Sequence, residues 1–575
     1  MSETSSTLTP QGTATATRRE WAVACSVGAA LTMWVFARAL PHFGTQVFGG
    51  PGDSELFVWS FQWIPYAIRH GIYPLTSDYM FATSGGINLA HNTFAPLAAV
   101  VLWPITALAG PVLSYNLYAC SAPLLDFLAV FGVVRRFHTQ RSALICAGIF
   151  AFSPLVYGSA VGHPQVNHLW AIIIGFALIG RAMGPTSTHR RRDAVMGGVI
   201  VALQLYIGIE MLALATIAAG AAALGAVVIS RRQRNIVISC IVRWWKYGLW
   251  ALGASVLIGL PFFATWLGGP ERFFGVHQAQ ELNNADLANI VVPTRETLIS
   301  PGTIRGNDDW LPFINGERGS YLGILLVCVL VWYSIRHFRS MRPITRWAVC
   351  GLFTATIMSL GPELHVWGHM PGVPMPWALV ASAPVAKSIL VTRFSIFAAL
   401  FAGLIMAELL EHTADQRIPK PWMFMTIAGL VALTPATGTI ATFDSVSTAD
   451  AARIAELCGP NAVVVSLPRI YPSRMMLIQA QSAFAFKLSR GFGFRESSSE
   501  FGDTLLIDDQ VSPVTRERKV DAQRQLGDLG ATCVTAVDAN NAFWTTPPDT
   551  RVVAQLLDRP CEPVGDICVW PLPRR

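Results

Sequence analysis

Residues 21–55 read WAVACSVGAALTMWVFARALPHFGTQVFGGPGDSE, and this stretch sets the class of fold. Trp21 to Leu40 is apolar over the length of about 20 residues that a helix needs to cross a hydrocarbon core of about 30 Å. The Ser/Thr-rich segment 1–20 before it ends in Arg18-Arg19, and the apolar run is too long and too poorly terminated for a cleaved signal peptide. It reads as an anchor with its N-terminus in the cytoplasm. Gly49-Gly50-Pro51-Gly52-Asp53-Ser54-Glu55 then puts two carboxylates just beyond the membrane, among glycines that let backbone come close to a ligand. Asp53 and Glu55 there can deprotonate a hydroxyl, hold a divalent cation, or simply be hydrated in a turn.

The rest of the chain agrees with a membrane protein. Of 575 residues 52% are apolar and 13% charged, with a mean hydropathy of +0.44, against about 25% charged in soluble proteins. This excludes an ordinary soluble enzyme, and no period of 20 to 50 residues indicates a solenoid. Further spans fall at about 113–134, 143–161, 167–183, 194–209, 211–229, 247–266, 321–336, 346–361, 393–410 and 422–440, which makes eleven crossings. The loops this count places inside carry twenty Arg and Lys, whereas the first outer loop carries one, Arg69. The net charge of +7 therefore needs no nucleic-acid partner, and residues 441–575 are expected outside the plasma membrane. The segment 94–110 is apolar enough to cross, but a crossing there would put every later basic loop on the wrong side. Parity predicts a helix lying at the outer interface or re-entering, interrupted by Pro96 and Pro104.

Three outer segments, 41–112, 267–320 and 362–392, exceed simple connections and are rich in Trp, Tyr, Pro and Gly, which points the active surface outwards. Trp59, Trp63 and Tyr66 share one helical face and read as an interfacial anchor, with stacking on a sugar as the alternative. Gly162-His163-Pro164-Gln165-Val166-Asn167-His168 sets two histidines in one small turn. Glu210 is the only charge between Asp193 and Arg231 and is a candidate for an internal cavity. Lys387 and Arg393 lie at an outer mouth, where charge asymmetry would not put them. They suit a lipid phosphate, with snorkelling to headgroups as the alternative.

The order of these features resembles the GT-C superfamily of integral-membrane glycosyltransferases. Asp53 soon after the first span, the large first outer loop, and His91-Asn92-Thr93-Phe94-Ala95-Pro96-Leu97 carry that resemblance. A bacterial group within the superfamily is similar in Gly71 to Leu75, Gly162-His163, Leu360 to Leu364 and Arg393-Phe394. The resemblance implies an α-helical polytopic fold and a polyprenyl-phosphate sugar as donor. It further implies Asp53 as the base on the acceptor hydroxyl, Arg393 and Lys387 as donor-phosphate ligands, and Glu55, His91, Asn92, His163 and Glu210 as cavity or substrate-binding residues. One carboxylate used as base, with no second as nucleophile, inverts the anomeric centre. An acidic pair expected on a later outer loop has Asp308-Asp309 or Glu317 as candidates, so a divalent cation stays open.

From about 441 the composition becomes that of a soluble α/β layer: helical patterns at 449–457, 473–485, 516–527 and 550–558 alternate with apolar runs at Ala462 to Leu467, Ala531 to Val537 and one ending at Trp570. Four of the ten cysteines, Cys458, Cys533, Cys561 and Cys568, fall here, and Cys561 with Cys568 is the preferred bridge. No zinc spacing, Walker loop or dinucleotide fingerprint is present. The expected activity is transfer of a hexosyl or pentosyl group to a cell-envelope glycan or lipid in a membrane-lipid setting. The alternatives are a lipid-linked-sugar flippase or transporter, and a non-catalytic envelope assembly factor.

Overall fold

The structure, a computed structural model, describes residues 15–573 except 93, 160–161, 185–186, 277–279, 281–282, 295, 301–318, 415–418, 438–439, 468–472, 496–504, 508–511 and 538–548. In chain order the helices of the apolar part are α1 (Arg18–Phe36), α2 (Asp53–Arg69), α3 (Pro96–Val101), α4 (Trp103–Val134), α5 (Gln140–Ala151), α6 (Pro154–Ser159), α7 (Trp170–Met183), α8 (Arg190–Leu203), α9 (Ile209–Ile229), α10 (Arg231–Gly268), α11 (Ile324–His337), α12 (Pro343–Ser359), α13 (Phe394–Ala414) and α14 (Lys420–Ala432). Each of the apolar stretches read from the sequence holds all or part of one of these helices, except 143–161, which holds part of α5 and all of α6. Among the described residues five helical segments are long and apolar enough to cross a membrane: Trp103–Val134, Pro164–Met183, Ile209–Ile229, Arg231–Gly268 and Val391–His412. The chain is a helical membrane protein.

Contacts between helix ends sort the bundle into two ends. Arg135, which follows α4, bonds Glu20 in the first turn of α1 at 2.7 Å. Arg342, just before α12, bonds Glu411 near the end of α13 at 2.8 Å, and His138 lies 3.3 Å from the same carboxylate. This is the basic end. At the opposite end strand β1 (Gln46–Phe48) pairs antiparallel with β4 (Thr442–Asp444), while β2 (Thr76–Ser77) pairs with β3 (Ile87–Asn88) inside the first long loop.

The segment 94–110 does not run on as a helix. Gly110, at φ 86° and ψ 167°, breaks α4, and Thr106 Oγ1 lies 2.8 Å from Ser114 Oγ across the break. Residues eight apart in a straight helix are separated by about 12 Å along its axis. The direct bond therefore shows that the chain folds back there, and the short piece α3 leads into it.

Residues 448–571 form a five-stranded sheet in the order β6 (Lys487–Leu488), β5 (Val463–Leu467), β7 (Cys533–Val537), β9 (Ile567–Pro571), β8 (Glu562–Val564). The first three strands are parallel and the last two antiparallel to their neighbours. Side chains alternate between two cores, as a strand's period of two requires. Val464, Cys533 and Val569 join the core of the helix bundle, while Val465, Val534 and Trp570 bury against α15 (Arg516–Asp528) and α16 (Thr550–Leu557). Cys458–Cys533 and Cys561–Cys568 are disulfides. The second is the pair preferred from sequence; spacing gave no sign of the first, whose halves are 75 residues apart.

This sheet sits at the end opposite the basic one. Trp59 and Trp63 are fully buried, with Phe484 edge-on at 5.4 Å to each ring. Trp59 Nε1 donates to Gln479 Oε1 at 2.7 Å. The aromatic stripe of α2 is thus the docking face for the C-terminal part. Neither a membrane anchor nor a sugar platform describes it, because a helix face periodic in Trp and Tyr reads the same whether lipid or protein covers it. Arg495, 2% exposed, ties the same region to Glu271 at 2.8 Å and to Ser84.

Candidate active site

Asp53 opens α2, and three contacts hold the turn before it. Tyr115 O–H lies 2.8 Å from the Phe48 carbonyl and 3.0 Å from Ser54 Oγ. Asn116 accepts from Phe48 N at 3.0 Å and donates to the Phe43 and Gln46 carbonyls at 2.8 Å. Gly49 N donates to the Ala441 carbonyl at 2.8 Å. Glu55 is 1% exposed and accepts from Gly52 N at 3.1 Å, so it caps its own helix.

Of the glycines in this turn Gly49 admits neighbouring backbone, while the space beside Gly50 and Gly52 is open. Gly49 lies at φ 103° and Gly162 at φ 108°, and a Cβ on Gly49 would stand 2.8 Å from the Gly162 nitrogen. Only with glycine at both places can the two turns lie against each other. His163 then meets Asp53, Nε2 to Oδ2, at 2.5 Å, with both side chains partly exposed. The imidazole can hold the carboxylate in one rotamer or exchange a proton with it.

The second pair includes Glu210, two residues after Gly208, which lies next to the same turn. Glu210, in the first turn of α9, bonds Arg393, whose side chain is 5% exposed, and accepts from Leu390 N at 2.9 Å. A Cβ on Gly208 would meet Gln165 Cγ at 3.5 Å. One short turn, His163-Pro164-Gln165, therefore touches Asp53 through its first residue and the start of α9 through its third. The two candidate pairs share one end of the bundle, linked by three residues.

The remaining candidates hold the surround together. His91 Nε2 lies 2.7 Å from the Trp266 carbonyl, its ring stacked on that indole and edge-on to Phe274. Asn92 bonds the Phe494 backbone through both amide atoms, donating at 3.0 Å and accepting at 2.6 Å. Lys387 donates to the Phe274 carbonyl, so the short segment after α10 joins His91 to the late outer loop. Asp308, Asp309 and Glu317 lie outside the described residues. Sequence reasoning passed over Tyr115, Asn116 and Gln165: a Tyr-Asn pair inside an apolar helix is unremarkable until the turn it binds is known.

The loop that leads to Arg393 is fixed by a buried carboxylate. Asp286 accepts from Ala288 N at 2.8 Å, Trp367 N at 3.0 Å and Gly368 N at 2.7 Å. Beside it Gly361 lies at φ 74°, and a Cβ there would fall 2.0 Å from Asn284 Oδ1. The Leu360 to Leu364 motif thus forms the turn that receives Asn284. Gly361→Ala should cost about 2 kcal/mol or more, read as a lower thermal unfolding midpoint, because backbone strain adds to a displaced buried amide.

His365, 1% exposed, sits in this loop, and burial lowers its pKa from the usual value of about 6.5 despite the opposing pull of Asp286 and Glu363. The unfolded chain then takes up a proton below about pH 6.5 that the folded chain still holds off, so stability falls as pH falls through that range. His365→Gln should shrink the loss of melting midpoint between pH 7 and pH 5; an unchanged loss would show that His365 does not set it.

With the geometry in place the chain can be compared with known proteins. It superposes on the arabinofuranosyltransferase AftD from Mycobacteria with a TM-score of 0.56 over 98% of its own length and 40% of AftD, at 13% identity. The chain has a GT-C fold. It spans about two fifths of the AftD chain. Two further GT-C structures align at lower scores. ArnT from Cupriavidus metallidurans, bound to undecaprenyl phosphate, gives a TM-score of 0.48 and 12% identity, with 96% of this chain and 98% of that one covered. The oligosaccharyltransferase of Archaeoglobus fulgidus gives 0.47 and 12%, covering 90% and 70%. No family model and no curated protein sequence matches.

Proposed function

We propose that the chain is a membrane glycosyltransferase that moves a sugar from a polyprenyl-phosphate donor to a glycan or lipid of the cell envelope at the outer face of the plasma membrane. The observation that supports this reading is that the turn His163-Pro164-Gln165 bonds Asp53 through His163 and lies beside Gly208, two residues before the Glu210 that pairs with Arg393.

The chemistry follows from that pairing. The acceptor hydroxyl attacks the anomeric carbon, and its proton passes to the Asp53 carboxylate as the new C–O bond forms. The bond from the anomeric carbon to the phosphate oxygen breaks, and its electron pair leaves with the polyprenyl phosphate. Arg393 meets the growing negative charge. Attack and departure on opposite faces invert the centre. Lys387, six positions before Arg393, adds a second cation on the same loop, and the C-terminal sheet is assigned the role of holding the acceptor.

The test is turnover. Purified full-length protein, given a labelled polyprenyl-phosphate sugar and an envelope extract, should move label from the lipid carrier to an acceptor with inverted linkage. Movement of intact lipid-linked sugar across proteoliposomes without transfer would replace this reading with transport.

A further inference from the structure

The basic end of the bundle carries a second charged surface, at the far end from Asp53. Helix α8 opens Arg190-Arg191-Arg192 and helix α10 opens Arg231-Arg232-Gln233-Arg234. Cations in a first turn oppose the helix dipole, whose positive pole lies there. Within α8 Asp193 offsets this in part, but its carboxylate already takes Arg181 Nε at 2.7 Å and Ser187 Oγ at 2.9 Å. Helix α10 contains no acidic residue.

Two contacts show how α10 lies. Gln233 Nε2 donates to the Pro343 carbonyl, and the Arg190 guanidinium sits 3.6 Å over the Trp244 ring. Pro343 and Arg190 both open helices at the basic end. The stretch from Gln233 to Trp244, about 16 Å at 1.5 Å per residue, therefore runs between two points of that end. The whole helix, 38 residues or about 57 Å, has length for this and for a crossing of about 30 Å.

The same stretch mixes charge with exposed hydrocarbon. Ile238 is 51% exposed, Val242 71% and Trp245 57%, while Arg234, Arg243 and Lys246 are exposed among them. Arg191 lies 4.1 Å over the Trp250 ring. Stacking engages the face of a guanidinium, and phosphate oxygens accept from its in-plane N–H groups. A soluble polyanion would neutralise the cations and leave the isoleucine, valine and tryptophan in water; a lipid leaflet satisfies both.

Arg190 is held by the Ala182 and Gly184 carbonyls, and we propose that Arg191, Arg192 and the Arg231–Lys246 stretch form a binding site for the phosphate headgroups of anionic phospholipids in the leaflet at this end of the bundle. The site is independent of the sugar-transfer reading. Purified full-length protein in a neutral detergent is equilibrated with equal amounts of phosphatidylglycerol and phosphatidylcholine, and retained lipid is counted by native mass spectrometry. Phosphatidylglycerol should be retained about fivefold or more over phosphatidylcholine at 0.1 M salt, and the preference should fall towards parity at 0.5 M, since screening weakens exposed charges. R191Q/R234Q/K246Q should lower the preference at least threefold, with a melting midpoint in detergent alone close to that of the wild type. Equal retention of both lipids by the wild type, a preference untouched by salt, or one preserved in the triple variant would overturn the proposal. Displacement of the lipid by an equal concentration of inorganic phosphate would overturn the lipid assignment too. Should the triple variant fail to fold, the wild-type salt series decides alone. The variants lie away from Asp53, so loss of lipid preference with transfer in detergent intact separates this site from the proposed active site.

Discussion

Asp53→Asn is expected to lower sugar transfer by about 10²- to 10⁴-fold, the range that a positioned general base contributes. Asparagine keeps the shape of the side chain and can still meet His163, which stands 2.5 Å from the carboxylate in the native protein. What it loses is the capacity to take a proton from the acceptor. Donor binding should be nearly unchanged if the proposed phosphate site at Arg393 holds, and folding should hold, because Tyr115, Asn116 and Gly49 fix the turn without using the Asp53 side chain. Turnover close to wild type in this variant would remove Asp53 as the base. It would leave transport or a scaffolding role as the better account of the outer end.

Arg393→Gln is expected to weaken binding of polyprenyl phosphate by roughly 10- to 150-fold, the equivalent of about 1.5 to 3 kcal/mol for a hydrogen bond between charged groups. The substitution also leaves Glu210 without its cation near the protein interior, which destabilises on its own account. The double variant Glu210→Gln with Arg393→Gln removes that complication: stability should recover while the loss of donor affinity persists. Arg393→Lys should recover part of the affinity, since the point charge remains and the planar fork does not. A normal donor dissociation constant in the double variant would take Arg393 out of the phosphate site. That outcome is separable from the first, because it concerns binding of the carrier and leaves proton transfer untouched.

The order of the helices was legible because apolar runs mark them without any partner, but eleven crossings were expected and, among the described residues, five helical segments are long and apolar enough to span. The fold-back at Gly110 was legible only indirectly, through the placement of Arg135 and Arg136, since nothing local to 94–110 distinguishes a crossing from a helix that turns round. Strands β5, β7 and β9 were visible as short apolar runs, but β6 and β8 were not, and neither was the strand order, because parallel neighbours here are separated by helices and long connections. Glu210 could be singled out as a lone charge in an apolar run, Arg393 as a cation against the charge asymmetry, and Asp53 and His163 only as polar residues of turns, with the resemblance adding their roles. Their pairing could not, because it depends on Gly49 and Gly162 bringing two backbone turns into contact, and glycine in a loop carries no record of what it touches. The aromatic stripe of α2 shows the same limit from the other side: Trp59 and Trp63 announce a buried face, and only Phe484, about 420 positions on, reveals what buries it.

The account rests on a donor phosphate and an acceptor base meeting at one end of the helix bundle. A density map of the full-length protein with a non-transferable polyprenyl-phosphate sugar analogue tests this most directly. The phosphate should lie within hydrogen-bond reach of Arg393, with the anomeric carbon between it and the Asp53 carboxylate. A phosphate seated away from Arg393, or a sugar with protein packed between it and Asp53, would contradict the account.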